Sequence, residues 1–227
     1  MITGITRDNQ KISATPGVIA FCPICNTELK PKCGAINIWH FAHTSKELCD
    51  PWYEPESEWH REWKQYIKND HREVVISRNG KKHIADITTG TGIIELQHSH
   101  LPFAERVERE SFYGNLIWVV HVKRKRFVIR DRPDYKSLYG DDFENSMNVF
   151  FHWKYPLRWV IKDMKSPTFI DFDEGLYLLK IEKLKHLSPC RGYGKLIHKN
   201  DFYDRYLQYA LLEPFATIQS EGGLFNV

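Results

Sequence analysis

Two groups of side chains in this sequence have the types and spacing to hold a cation. The first is Cys22-Pro23-Ile24-Cys25, followed downstream by Trp39-His40-Phe41-Ala42-His43 and then Cys49. A Cys-x-x-Cys turn placed after the apolar run Val18-Ile19-Ala20-Phe21 lets both thiolates reach one tetrahedral ion, the habit of a structural Zn²⁺ site. The preferred ligand set is Cys22, Cys25, His43 and Cys49. On a strand over 39–43, His40 and His43 project to opposite faces, so one of them drops out; His40 is the substitute. Cys33 reads as a small buried apolar residue in the connection. A redox pair is the competing reading of Cys22 and Cys25. Such a pair opens a helix, and Asn26-Thr27-Glu28-Leu29-Lys30-Pro31 does not read as one.

The second group lies in HIADITTGTGIIELQHS, His83 to Ser99. Ala85 and Ile87 flank Asp86, a Thr-Thr-Gly-Thr-Gly run has turn composition, and apolar and polar residues alternate from Ile94 to Gln97. On that second strand Glu95 and Gln97 share a face while Ile94 and Leu96 take the other. As a hairpin the stretch brings Asp86 and Glu95 toward one end. Two carboxylates converging out of water are costly as a bare pair, and a divalent cation removes that cost; Mg²⁺ prefers carboxylate oxygens. A solvated hairpin with a polar outer face fits the same residues, and both readings stand on the hairpin alone.

The elements that must position these groups follow from the rest of the chain. With 227 residues, 42% hydrophobic and 14% aromatic, the chain is long enough for one large domain, or one domain plus a small module, around a packed core. Thirty-two Lys and Arg against 29 Asp and Glu leave a net charge of +3, which permits nucleic-acid binding only through a local basic patch. No stretch approaches a bilayer span and no export signal opens the sequence, so a soluble protein of a reducing compartment, the cytoplasm, is expected. In that setting four clustered cysteines favour a metal over disulfides.

A helix is predicted from about Glu56 to Asn69, after Asp50-Pro51 and Pro55. At 100° per residue Ser57, His60 and Lys64 share a stripe with Glu56 at its margin, and Glu58 lies on the far side. A solvated charged face is the plain alternative. A second helix, Ala104 to Tyr113, ends at Gly114. Its Arg106, Arg109 and Tyr113 recur on one face that can meet phosphate, unless Glu105, Glu108 and Glu110 take the arginines as ion pairs. Asn115 to Val122 reads as a buried strand. The basic run Lys123-Arg124-Lys125-Arg126 then turns into another at Phe127 to Arg130. Arg124 and Arg126 are phosphate-contact candidates there, although lysines guarding a sheet edge read the same.

Taken together, these pieces resemble the competence-protein CoiA-like family of the PD-(D/E)xK nuclease superfamily. The resemblance rests on Cys22-x-x-Cys25, His40-Phe-Ala-His43, Glu56-Ser57-x-x-His60-x-x-x-Lys64, Ala85-Asp86-Ile87, Ile94-Glu95-Leu96-Gln97-x-Ser99 and Arg109-x-x-x-Tyr113, in that order, between about Phe21 and Val120. It implies a mixed α/β fold: an N-terminal zinc-ribbon-like module (1–52), a PD-(D/E)xK restriction-endonuclease-like core (53–130) and a C-terminal α+β extension (131–227). The implied activity is Mg²⁺- or Mn²⁺-dependent hydrolysis of DNA phosphodiester bonds, single-stranded or duplex, with no membrane partner and no bar to an oligomer. Asp86 and Glu95 would hold the catalytic ion. Glu56 would be a helix-borne ligand or a water bridge to the ion, with Glu58 its replacement if the helix is rotated. Gln97 stands where most of the superfamily has lysine; its amide can orient water but carries no charge, and Lys64 or His60 would supply the missing cation. A DNA-binding protein that keeps the zinc and the fold without cutting is the alternative, and a redox or metal-sensing regulator a third.

The remaining sequence says less. Phe150 to Trp159 mixes aromatic and basic residues that could stack unpaired bases, although such density favours core. Thr168 to Lys185 reads as a hairpin turning at Asp171-Phe-Asp-Glu-Gly175, and Asp201 to Leu212 as an amphipathic helix.

Overall fold

The computed structural model describes residues 1–36, 39–44, 49–52, 54, 56–130, 147–157, 160, 165–172, 175–187 and 190–212. The chain is a mixed α/β protein whose strands form two sheets, and it divides into two compact units, Met1–Thr88 and Thr89–Val227. The division falls inside the stretch expected to form a single core, after Thr88.

In the first unit, strands β1 (Thr3–Ile5), β2 (Lys11–Ser13), β3 (Ala20–Phe21), β4 (Glu28–Lys32) and β5 (His40–His43) form an antiparallel sheet in the order β2-β1-β3-β4-β5. One face of it, with Ala20, Leu29 and Phe41, closes a small core around Met1, Ala14 and Cys22, against which Ile84 packs. Gly4 is needed at the centre: a Cβ there would lie 2.9 Å from that of Ala20. Helix α1 spans Glu58–Lys64, shorter than the predicted 56–69. Ser57 is spent as its N-cap, in a reciprocal capping box with His60, which is where a serine stabilises a helix best. The chain turns back beyond Lys64 to bury Ile67 completely. Strands β6 (Arg72–Arg78) and β7 (Lys81–Thr88) are joined by Asn79-Gly80, both at positive φ, as a two-residue type I′ turn demands.

In the second unit the strands run in the order β10-β11-β14-β13-β12-β9-β8. Strand β8 (Ile93–Gln97), helix α2 (Phe103–Tyr113) and β9 (Leu116–Val122) form a βαβ unit, with β8 parallel to β9 and β9 parallel to β12 (Thr168–Phe172). Leading into β8, Thr89 and Gly92 close a tight turn, Thr89 N–H donating to the Gly92 carbonyl at 2.8 Å. Gly114 at φ 76° ends α2, as predicted. The far part of the sheet is antiparallel: β10 (Phe127–Arg130), β11 (Asn148–Trp153), β14 (Cys190–His198) and β13 (Tyr177–Leu187). Helix α3 spans Lys199–Tyr206; it starts before the predicted 201–212 because His198 caps it by accepting from Asn200 N–H, and it ends sooner, at Tyr206. Phe202 of α3 packs edge-on against Phe169 of β12. Asp173, Glu174, Arg158 and Trp159, which figured in the sequence reading, lie outside the described residues. Among the described residues no helix is long and apolar enough to cross a membrane.

Candidate metal centre and buried lysine cluster

The chain beyond β3 makes a tight knuckle in which Cys22 N–H donates to Thr27 O and Asn26 N–H to Cys22 O, each at 2.9 Å, with Asn26 at φ 57°. Those bonds turn Cys22 and Cys25 toward each other. His43 ends β5, and Cys49 lies beyond it. The ligand atoms of Cys22, Cys25, His43 and Cys49 lie within 4.8 Å of one another. Cys22 Sγ and Cys49 Sγ are 3.4 Å apart, and His43 Nε2 is 3.5 Å from Cys25 Sγ and 3.3 Å from Cys49 Sγ. Donors bound to one tetrahedral Zn²⁺ through bonds of about 2.0–2.3 Å would have similar separations. His40 shares the strand with His43 but is not part of the cluster, as the alternation of strand faces requires. Cys33 is half-buried against the small core rather than fully enclosed.

The thiols of the cluster differ in how readily they ionise. Burial pushes the Cys25 thiol up, but hydrogen bonds with Thr27 and His43 outweigh it and bring it down to about 6. Burial and the neighbouring Cys22 sulfur push Cys49 up instead. Sulfurs this close cannot all be anionic without a positive charge among them. The donor set therefore fits Zn²⁺: three thiolates and a neutral imidazole.

The predicted helical stripe also forms, with consequences the sequence did not carry. Lys64 Nζ lies 2.6 Å from Asp86 Oδ1 on β7 and 3.2 Å from Glu56 Oε2, just before α1. The lysine side chain is 2% exposed and that of Asp86 22%, so the cluster reaches solvent through the aspartate. Burial would lower the Lys64 amine, yet Asp86, Glu56 and Glu73 outweigh it and hold it charged. Glu56 is raised to about 7, by burial first and then by Asp86 and Glu73 against the pull of Lys64. Its second oxygen, Oε1, is buried and has no hydrogen-bond partner among the described residues. Glu58 points to solvent beside Arg61, 3.5 Å away, so Glu56 and not Glu58 is the acid of this cluster. His60 Nδ1 lies 2.7 Å from Ser57 Oγ and accepts from Ser57 N–H, which makes it a capping residue of α1.

Glu73 escaped the sequence reading. It sits at φ 48° at an irregularity of β6, skipped in the β6–β7 register. Its buried carboxylate accepts from Ile2 N–H at 3.0 Å, Thr3 N–H at 2.8 Å and the Thr3 hydroxyl. An acid directly before the apolar run Val74-Val75-Ile76 was the available signal. Asp50 also went unread, although it directly follows the ligand Cys49. It accepts from His83 Nδ1 at 2.9 Å, Ile84 N–H at 2.9 Å and Trp52 N–H at 3.0 Å, with Trp52 stacked on His83. Glu73 and Asp50 thus tie the cysteine module to the β6–β7 hairpin that carries Asp86.

In the second unit, Glu95 is enclosed and its Oε2 accepts from Arg109 at 2.9 Å; Arg109 also forks onto Glu105 at 2.5 Å. Gln97 is buried, its amide donating to Ser99 O at 3.3 Å. The expectation that Arg106, Arg109 and Tyr113 contact DNA is corrected here. They are only 1%, 4% and 2% exposed, Arg106 beside Glu110 at 3.8 Å, and the face they share turns inward. Glu110 also accepts from Trp118 Nε1 at 3.2 Å. A guanidinium without water around it needs a carboxylate, and the intrahelical glutamates supply it. Arg126 is half-exposed in the basic turn; the side chain of Arg124 lies outside the described residues.

Residues 8–51 match the family model for the N-terminal domain of competence protein CoiA. No curated protein and no solved structure matches the chain.

Proposed function

We propose, from the premise that this is a competence protein CoiA-like chain, as the match over residues 8–51 supports, that it is a metal-dependent DNA nuclease with a PD-(D/E)xK core stabilised by a structural zinc module. The observation that carries this reading is the cluster of Lys64, Glu56 and Asp86. Glu56 keeps an unpartnered buried oxygen there and is raised to about 7. Burying an excess of carboxylate over ammonium is expensive for stability alone, and such clusters concentrate where function needs them.

By the resemblance, Asp86 and Glu95 are the acids that hold Mg²⁺ or Mn²⁺, with Glu56 beside Asp86. A bound ion of this kind supplies Lewis-acid activation of water and neutralises charge on the scissile phosphate. The chain's own groups do the rest. Lys64 places a positive charge 2.6 Å from Asp86 and takes the electrostatic part that Gln97 cannot. Gln97, as a neutral amide, orients. His60 holds the start of α1, so its contribution is positional.

A second reading has its own support. Glu95 is ion-paired with Arg109 and Asp86 with Lys64, which suits a DNA-binding protein that keeps the fold and does not cut. Cleavage of linear, circular and single-stranded DNA with Mg²⁺, Mn²⁺ or EDTA separates the two. Metal-dependent cutting that Asp86→Asn abolishes supports the enzyme. No cutting by the purified parent under any of these conditions leaves the binding protein.

A further inference from the structure

The antiparallel part of the second unit's sheet carries a surface that the nuclease reading leaves unused. Along β11 the odd residues Val149, Phe151 and Trp153 are buried, while Asn148, Phe150 and His152 on the other face are half-exposed. Register continues that outer face onto β14, where Phe150 pairs with Tyr193, His152 with Arg191 and Asn148 with Lys195. It extends to β13, where Tyr193 pairs with Lys183 and Lys195 with Lys180. Directly paired residues project to the same side of a sheet, so these side chains form one surface.

The two aromatic rings lie 6.3 Å apart at an angle of 51°. Tyr193 stands between Gly192 and Gly194, and a Cβ at either glycine would come within 2.4 Å of a β13 carbonyl. Only glycine permits β14 to approach β13 that closely, and the tyrosine on the opposite face is what the stretch presents. Among the described residues around the rings, Lys180, Lys183, Arg191 and Lys195 are basic and Glu182 is acidic. Lys180 is engaged by Glu182 at 2.7 Å, which leaves Lys183, Arg191 and Lys195 with no acidic partner among the described residues.

We propose that this face binds single-stranded DNA, with Phe150 and Tyr193 stacking on bases and Lys183, Arg191 and Lys195 contacting phosphates; the nuclease reading contributes only the choice of DNA. Half-exposed aromatic rings interleaved with cations match an unpaired strand, which offers base faces and phosphates together. A duplex hides its base faces and has no use for the rings. The aromatic run Phe150 to Trp153 is therefore divided by strand alternation: Phe151 and Trp153 build core, while Phe150 and His152 take the outer face.

The test is fluorescence anisotropy of a labelled oligothymidylate with the full chain in EDTA, beside a melting curve for every variant. Phe150→Ala and Tyr193→Ala should each weaken binding about ten-fold, and Tyr193→Phe should not. Arg191→Gln and Lys195→Gln should weaken it and each reduce the slope of log K against log salt by about 0.7. If the alanine variants do not fold, the glutamine variants decide. Folded variants with parental affinity, a parent that does not bind the oligonucleotide, or equal binding of duplex all overturn the proposal. A Phe150→Ala/Tyr193→Ala protein that changes only its molar mass in solution also overturns it, since the face is then an interface between copies. A parent that binds through these residues yet never cuts DNA removes the nuclease reading and leaves this one standing. A parent that cuts while binding ignores these residues does the reverse.

Discussion

Lys64 Nζ lies 2.6 Å from Asp86, the first acid of the sequence motif, and 3.2 Å from Glu56, with almost none of its side chain reaching water. An ammonium in that position performs two tasks. It neutralises carboxylates that could not otherwise be buried together, and it fixes Asp86 against the side of α1. Glu73 stands within electrostatic reach of the same group and fastens β1 by its backbone N–H groups. Charge balance, helix position and the cysteine module are linked through a few side chains.

Removing the lysine should be costly. In Lys64→Met, Glu56 and Asp86 lose their shared cation, and breaking a buried pair in this way destabilises by about 3–5 kcal/mol. Denaturant unfolding measures it. A loss of less than about 1 kcal/mol would show that the carboxylates are hydrated and the pair superficial.

Glu56 sets a pH dependence of defined sign. Its folded value, about 7, lies above its ordinary value of 4.5, so the folded state holds the extra proton between them. Stability should therefore fall as pH rises from about 4.5 to about 7, by about 3 kcal/mol at most. The groups facing it are Lys64, Asp86 and Glu73. Glu73 is held below the usual carboxylate value despite its burial, by Lys64 and by the Thr3 and Ile2 bonds, so its contribution is lost in more acid solution, outside that window. Glu56→Gln should flatten the profile from about pH 5 to about pH 7, and an unchanged slope would assign the effect elsewhere.

The cysteine cluster should carry about one Zn²⁺ per chain, measured by elemental analysis. Cys22→Ser should lose it and lower the melting temperature. Because Asp50 follows Cys49 and clamps His83 and Ile84 of β7, chelation should also loosen hydrogen exchange in β7. Protection of β7 that is indifferent to a chelator would show that the module folds apart from the hairpin.

If the proposed nuclease reading holds, Asp86→Asn and Glu95→Gln should each abolish metal-dependent cleavage while leaving the fold and DNA binding largely intact. These substitutions are preferable to alanine because Lys64 and Arg109 keep a polar neighbour. Gln97→Ala should reduce cleavage by less, and Gln97→Lys should retain part of it. Parental cleavage rates in folded Asp86→Asn would end the assignment.

Arg109→Ala should destabilise rather than weaken DNA binding, since its guanidinium joins Glu95 to Glu105 inside the protein. The measurement is the melting curve beside the salt slope of oligonucleotide binding. A stable variant with a reduced salt slope would restore the phosphate-contact role.

Sequence alone determined what local periodicity and ligand chemistry control. Cys22, Cys25, His43 and Cys49 were legible because thiol and imidazole spacing has few other uses. Strand alternation admitted only one of His43 and its substitute His40, and the helical period placed Ser57, His60 and Lys64 on one stripe. Asn79-Gly80 was equally legible as a hairpin turn and went unread. The tertiary structure decided partners and faces. The spacing of Arg106 and Arg109 offers either water or the intrahelical Glu110 and Glu105 as neighbours, and only packing turns the pair inward and brings Glu95 to Arg109. The ties from Glu73 to Thr3 and from Asp50 to His83 are equally remote along the chain. Phe150 and Tyr193 become neighbours only when β11 pairs with β14. Periodicity orders residues along one element; which elements meet, and so which charges are neutralised, is set by burial across the whole fold.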